Sequence, residues 1–532
     1  MTQTQNISNR NPDDLVNNQE PIAGDDPAYE QIFKDLQGGI IKNYGRKYFL
    51  YIFVRFAKNR VSEVKEWIRE EISSSITSTW KQLEDTKKYR EKKQDNPSYA
   101  GELCRNFFLS YQGYYALEFN PAKPNNEEAK INDTLFNSGM NQDWENKYRL
   151  KMPPEPPNDY WYNPPEKWDF GGKKGKDDNW VDALILLAHD DLSELKQEAE
   201  TIIARWEKLE LGKVVACEAG YVLRNENRQA IGPFGFADGI SQPLFLKGDY
   251  ERYQKSHSIS QWNPFASLNL VLVKDPFSES YSYGSYCVFQ KLETNYELFE
   301  KKVGELAETL GSDRKRASAL VVGRFKNGTP IALSDRPNKE GDRHSFNYAD
   351  DPNGSKCPLH AHIRQVNPRK HEDNADLAKS RKKKRIFRAG ITYFDDPTTQ
   401  QASDLSSIQQ CLNKLDYLNN KVSKQSLTDN VKSISGLLFV CFQSNILFQF
   451  SELQRTWADT NFPKEDAPKH EYLDPIIGHP AIKNGKIPSS QKWAKNWGKK
   501  EKFVPYSFCG CVKNRGGEFL FAPSISFLKN LT

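Results

Sequence analysis

The chain has 532 residues, of which 37% are hydrophobic, 12% aromatic and 27% charged, and its formal net charge is +5. That length exceeds one core and suits two sizeable domains; the composition excludes a wholly disordered chain, and so small a charge argues for no polyanionic partner. The longest apolar runs, such as SGLLFVCF, are too short to cross a bilayer, and no apolar segment of secretory type opens the chain, so a cytoplasmic location is expected.

In chain order, residues 1–26 are rich in Asn, Gln, Asp and Pro and read as a disordered tail. KYFLYIFVRF, 47–56, has the aromatic and β-branched content of a buried strand. RVSEVKEWIREEISSSITSTWKQLE repeats apolar positions at helical spacing and predicts one helix. VDALILLAHDD, 181–191, reads as a core strand, followed by an amphipathic helix in LSELKQEAETIIARWEKLE. Between these, 83–100 and 121–179 are Lys-, Asn- and Pro-rich, as long surface insertions are. The second half repeats the logic. ASLNLVLVKDP, GSYCVFQKL and SGLLFVCFQ read as strands, LETNYELFEKKVGELAETLG and LFQFSELQRTWAD as helices, and GEFLFAPS as a last strand after the turn NRGG. The alternation predicts an α+β fold with two similar halves. The eight cysteines are scattered with no CxxC pair, which argues against structural zinc and for reduced thiols.

Three stretches carry residues suited to chemistry. In IGPFGFADGISQP, Asp238 lies between Gly235 and Gly239, which let the backbone approach a large ligand closely, and beside Phe234 and Phe236, which would exclude water. An ordinary Asp-Gly turn is the simpler reading of that stretch alone. In KCPLHAHIRQVNPR, His360 and His362 would share a face of a strand, but no third metal ligand lies nearby. One histidine can instead serve a haem iron axially, its second ring nitrogen then needing an oriented partner. In KSRKKKRIFRAGITYF the run from Lys382 to Arg385 resembles a solvated or nucleic-acid-binding face, whereas Arg388 is carried inward among apolar residues and must be paired or serve an anion. Trp493 and Trp497 in KWAKNWGKK suit packing in a groove, or electron passage from the surface.

Read together, FGFADGISQP with its GxxDG core, CPLHAHIRQVNPR and RIFRAGITY resemble, in order, three segments of the dye-decolourising (DyP-type) haem peroxidases. LQGGIIKNYGR, VVGRFKNGTPI, HSFNYADD and RGGEFLFAPSISFL extend the likeness over about residues 36–530, with 83–179 least matched. The resemblance implies two ferredoxin-like α+β halves enclosing a haem pocket, divided as 27–232 and 233–532. It implies non-covalent haem b, hydrogen peroxide as oxidant, and a phenolic, aromatic or dye-like reductant. It assigns Asp238 as distal acid/base with Gly239 beside it, Arg388 as stabiliser of O–O heterolysis, and His362 as proximal iron ligand. Arg364 and Arg369 would contact the porphyrin propionates. His362 needs a hydrogen-bond partner, for which FQSNILFQFSE offers Asn445 and Glu452.

Two other readings differ in class. A haem-binding or haem-iron-handling protein of the same fold needs His362 but not Asp238 and Arg388 together. A nucleic-acid-binding protein using Arg381–Arg385 is opposed by the modest charge and the lack of a binding module. No nucleic-acid or membrane partner is therefore expected.

Overall fold

A computed structural model describes residues 11–121, 123, 133–148, 163–172, 179–278, 281–338, 343–367, 369, 382–395, 406–424, 426–459, 473–479, 491–499 and 502–532. Twelve strands lie among them. The first four are β1 (Tyr48–Phe56), β2 (Cys104–Ser110), β3 (Ala183–His189) and β4 (Gly212–Tyr221). The two-residue β5 (Val273–Lys274) precedes β6 (Tyr283–Thr294), β7 (Phe387–Arg388), β8 (Ile391–Tyr393) and β9 (Gly436–Gln443). A hairpin of β10 (Lys492–Ala494) and β11 (Phe503–Pro505) leads to β12 (Val512–Ala522).

Two ferredoxin-like halves are visible in the pairing. β1 is central in the first, with β3 and β4 antiparallel on either side and β2 on β3. Helices follow β1 and β3, giving the ferredoxin-like order β2-β3-β1-β4. In the second half β6 takes the place of β1, flanked by β12 and β9, with β8 on β9. The halves join edge to edge: β12 pairs with β2, and β4 with β8. Together with β6–β9 these contacts close a ring, which leaves these strands few free edges. At the β4–β8 seam, a Cβ on Gly220 would come 2.5 Å from Ile391 Cγ2, so only glycine allows that approach.

Alternation along the strands separates an interior from an outer face. Cys287 and Phe289 of β6, with Leu438, Val440 and Phe442 of β9, pack inside with Tyr51, Phe53 and Tyr393. Gln290, Leu292 and Thr294 of β6, with Leu437 and Phe439 of β9, face outward and floor the cavity described below.

Several local expectations change. Residues 11–26, expected within a tail, carry a helix at Pro12–Val16, and Leu15, Val16 and Ile22 are buried in the interior cluster; 1–10 lie outside the described residues. The helix expected over 60–84 is two: the first turns π-helical at Ile68–Ile72, the chain extends at Ile76, and Ser78 caps a second from Thr79 to Asp95. ASLNLVLVKDP is a strand only at β5, Val273–Lys274, and is preceded by a 3₁₀ segment at Leu268–Leu270. LFQFSELQRTWAD is wound as π-helical turns at Ile446–Ser451 and Leu453–Ala458. About half of the insertion at 121–179 lies outside the described residues. Cys217 of β4 and Cys411, expected as thiols, form a disulfide, and the other six cysteines are free and buried. Among the described residues no helix is long and apolar enough to cross a membrane.

Burial of acids in and beside the strands gives the fold a pH signature. Glu518 of β12 accepts from the backbone N–H groups of Phe519 (2.9 Å) and Met140 (3.2 Å), and burial pushes its carboxyl up to about 7. Asp182 and Asp275 are raised by burial to about 6. A carboxyl whose folded pKa is raised stabilises fully below its unfolded value and loses that contribution as pH climbs through the folded one. Glu518→Gln keeps an acceptor and removes the charge. Its melting temperature is expected to fall less than wild type between pH 5 and 8, by a few degrees, since a tenfold change in an acid's ionisation constant is worth about 1.4 kcal/mol. Parallel melting curves across that range would refute the assignment.

Candidate active site

One cavity on the outer face of the second half is lined by Asp238, Arg388 and His362, brought together from three distant stretches. Its walls are mainly apolar: Ile363 and Val366 beside His362, Phe450 and Leu453 from the π-helical turns, and Ile386. Phe234 and Phe236 line it too, the first stacked on Phe299 and the second edge-on to it in a satellite core (ring centroids 4.3 and 6.3 Å).

Asp238 sits on a loop pinned by backbone bonds from Ala237 N–H to Lys326 (3.0 Å) and from Asp238 N–H to Ala230 (2.7 Å). Its Oδ1 accepts from the Gly239 N–H at 2.6 Å and lies 3.8 Å from Arg388 Nη1. Its side chain is 41% exposed, so the phenylalanines do not seal it from water as expected. Gly239 has φ +73°, in the left-handed region that lets the loop turn after Asp238; it does not itself line the cavity among the residues that do. Arg388 ends β7, where an interruption at Ala389–Gly390 separates β7 from β8 on the same edge of β9. Its Nη2 donates to Ile240 O at 3.0 Å, and its backbone is gripped by the Gln242 amide, which donates to Arg388 O (2.7 Å) and accepts from Arg388 N–H (3.3 Å). The guanidinium is thereby aimed beside the carboxylate without forming a tight pair with it.

His362 opens a short helix, His362–Val366, rather than lying on a strand, so it does not share a face with His360. His360 is buried against Trp493, ring centroids 4.3 Å apart. The His362 Nδ1 lies 2.8 Å from Oδ2 of Asp474, whose side chain is fully buried. A carboxylate only accepts, so Nδ1 carries a proton, and in the neutral ring Nε2 is the nitrogen that keeps its lone pair. Asp474 is held by its own turn, Oδ1 accepting from Ile476 N–H (2.8 Å) and Ile477 N–H (3.1 Å). The turn docks on the preceding helical segment through Asp474 N–H to Ala458 O at 3.0 Å, and His479 N–H donates to Asp459 at 2.9 Å.

The two partners expected for His362 are engaged elsewhere. Asn445 accepts from Phe448 N–H (2.8 Å) as a helix cap, and Glu452 pairs with Lys384 (2.8 Å). Nothing in EYLDPIIGHP marks Asp474 from afar except an Asp able to form a turn with its own backbone.

Arg364 does not line the cavity. Its guanidinium donates to Asp351 Oδ2 (3.0 Å), Asp351 O (2.7 Å) and Cys357 O (2.6 Å) and stacks on Tyr348, so it fastens the loop before His362. Arg369 does line it, its guanidinium 4.1 Å from the Phe346 ring centroid and 4.4 Å from that of Trp262. Two further cations, within the quoted stretches VVGRFKNGTPI and RIFRAGITY but given no role there, line it as well. Arg324 follows Gly323, whose φ of +94° ends a helix where a Cβ would meet Ile363 Cγ1 at 2.4 Å. Burial lowers the Arg324 and Arg385 guanidiniums to about 10. Arg385 donates to the carbonyls of Phe265 (2.7 Å) and Lys382 (3.1 Å). Among the described residues neither Arg324 nor Arg385 has a carboxylate partner, so the cavity favours an anionic guest. Trp493 and Trp497 donate from their indole N–H groups to Tyr506 O (2.9 Å) and Ile331 O (2.7 Å).

No family model matches the chain. It is 35% identical over 337 residues to the multifunctional dye peroxidase DyP2 of an Amycolatopsis species, covering 60% of this chain and 64% of that protein. It is 28% identical over 384 residues to the dye-decolorizing peroxidase AauDyP1 of Auricularia auricula-judae, covering 65% and 64%. These alignments thus span just under two thirds of both relatives. The solved structure of a DyP-type peroxidase from an Anabaena species superposes with TM-score 0.78 at 34% identity, covering 98% of this chain and 99% of that one. The solved structure of DyP2 superposes with TM-score 0.74 at 28% identity over 96% of this chain and 98% of that one. With that identity sustained over nearly the whole length of a solved relative, the chain belongs to the DyP-type, or dye-decolourising, peroxidase family.

Proposed function

We propose that the protein is a haem-dependent peroxidase that reduces hydrogen peroxide to water while oxidising an aromatic reductant such as a phenol or dye. The observation that carries this reading is the single cavity shared by Asp238, Arg388 and His362. Its donor set suits haem b: one imidazole whose Nδ1 is held by a carboxylate, apolar walls for the macrocycle, and buried guanidiniums for its carboxylates. His362 would hold the iron, and Arg324 and Arg369 are among the lining cations available to the propionates; Arg364, tied to Asp351, is not.

When bound, haem supplies an iron at which the peroxide O–O bond is cleaved by two electrons and from which the reductant is later oxidised. Asp238 takes the proton from the inner peroxide oxygen and delivers it to the outer one, which leaves as water. Arg388 lies close enough to the same carboxylate to stabilise negative charge on the departing oxygen, and its backbone anchoring costs the reaction no reorganisation. The Asp474 carboxylate keeps the His362 proton on Nδ1 and raises the basicity of Nε2.

The test is one spectrum of purified, haem-loaded protein before and after equimolar peroxide. A Soret band that is displaced by peroxide and restored by a phenolic reductant is expected. A band that peroxide leaves in place would favour the haem-handling reading, which needs His362 alone.

A further inference from the structure

Ser241 lies three residues beyond Asp238 and holds φ +66°, in the left-handed region that a β-carbon disfavours. Among the described residues, four non-glycine positions do this, and Ser241 is the one of them that lines the cavity. A disfavoured backbone persists only where its surroundings fix it, and here they are specific. Its hydroxyl accepts from Nη2 of Arg324 at 3.3 Å and, in close contact, from Nη2 of Arg369. Both guanidiniums are buried and line the same cavity. With two cationic donors on its oxygen, the hydroxyl keeps its own hydrogen for an acceptor in the cavity. Its neighbours are fastened on the other side: Ile240 O accepts from Arg388 Nη2 at 3.0 Å, and the Gln242 amide grips the Arg388 backbone.

We propose that Ser241 is a positioning residue: its hydroxyl ties the loop bearing Asp238 to Arg324 and Arg369, setting the distal carboxylate in register with the cations that receive the porphyrin's carboxylates. The assignment rests on the peroxidase reading for its consequence but not for the tie itself. The strain makes sense in those terms. Glycine would relax at φ +66° but offer no acceptor, while serine accepts the strained turn and supplies one.

Ser241→Ala and Ser241→Gly separate the two features. Alanine keeps the disfavoured backbone and removes the hydroxyl; glycine removes both and guards against a variant that fails to fold. Deuterium uptake by the 233–243 segment in haem-free protein is expected to accelerate about tenfold or more in both, because local opening no longer breaks the bonds to the guanidiniums. After haem loading, both variants should retain haem to within about twofold while reacting with peroxide at least roughly tenfold more slowly, with the acid limb of the pH–rate profile displaced. Unchanged deuterium uptake in both variants would overturn the tie, and a wild-type rate and pH profile in both would overturn the positioning role. Were the wild-type protein inert to peroxide, the peroxidase reading would fall while the uptake comparison still decided the tie.

Discussion

His362→Ala is expected to lose most of the Soret absorbance that the wild-type protein shows after reconstitution with haem, with affinity for haem lower by about one to two orders of magnitude. The expected loss is large because the other cavity contacts are not directed at a metal. The apolar walls reward burial of any flat hydrophobic guest, and the guanidiniums reward any carboxylate, but in His362 an imidazole backed by a buried carboxylate lines the cavity. Added imidazole should restore part of the band in the alanine variant by filling the space left by the ring. Asp474→Asn separates coordination from tuning. The amide is nearly isosteric and still accepts at one oxygen, so haem should stay bound, but the weaker acceptor makes Nε2 less basic and the reduction potential should rise. Unchanged haem content in His362→Ala would remove His362 from the iron. An unchanged potential in Asp474→Asn would make the 2.8 Å contact purely structural.

What the sequence makes legible here follows from the range of the signal. Strands buried on both faces, such as β3 and β6, read as continuous apolar runs, and the amphipathic helix at Leu192–Lys208 shows its period; both kinds of element are recognisable without the rest of the fold. The ring that β2, β12, β4 and β8 close is not local, since β12 meets β2 across some four hundred residues with no pattern pointing to the partner. The same contrast holds in the site. Asp238, His362 and Arg388 each sit in a motif a family likeness can carry, and the fold brings them to one cavity. Arg364 and Arg369 have equal standing in the sequence, two buried arginines five residues apart. Only packing distinguishes them: Asp351 captures the first, while the second stacks between Trp262 and Phe346 at the cavity wall. Asp474 is out of the sequence's reach because its pairing is set by how the chain returns after the π-helical turns, and the nearer candidates Asn445 and Glu452 each have a local partner that claims them.

Asp238→Asn is expected to leave haem content unchanged and to slow the reaction with peroxide by roughly two to four orders of magnitude. An amide cannot take the proton of the inner oxygen, and no other carboxylate lines the cavity among the described residues. Arg388→Leu should cost about two to three orders of magnitude, the scale of removing one preorganised donor from a site of developing charge. The pair should not be additive. Arg388 Nη1 is 3.8 Å from the Asp238 carboxylate and Nη2 holds the carbonyl of Ile240 in the same loop, so removing the guanidinium also frees the acid. The double variant is therefore expected to be little slower than the worse single variant, as for groups that act together. Stopped-flow rates against peroxide concentration, on protein matched for haem, decide the matter. Strictly multiplicative losses would mean that the two side chains act on different steps, and a wild-type rate in Asp238→Asn would hand proton transfer to solvent at this half-exposed face of the cavity.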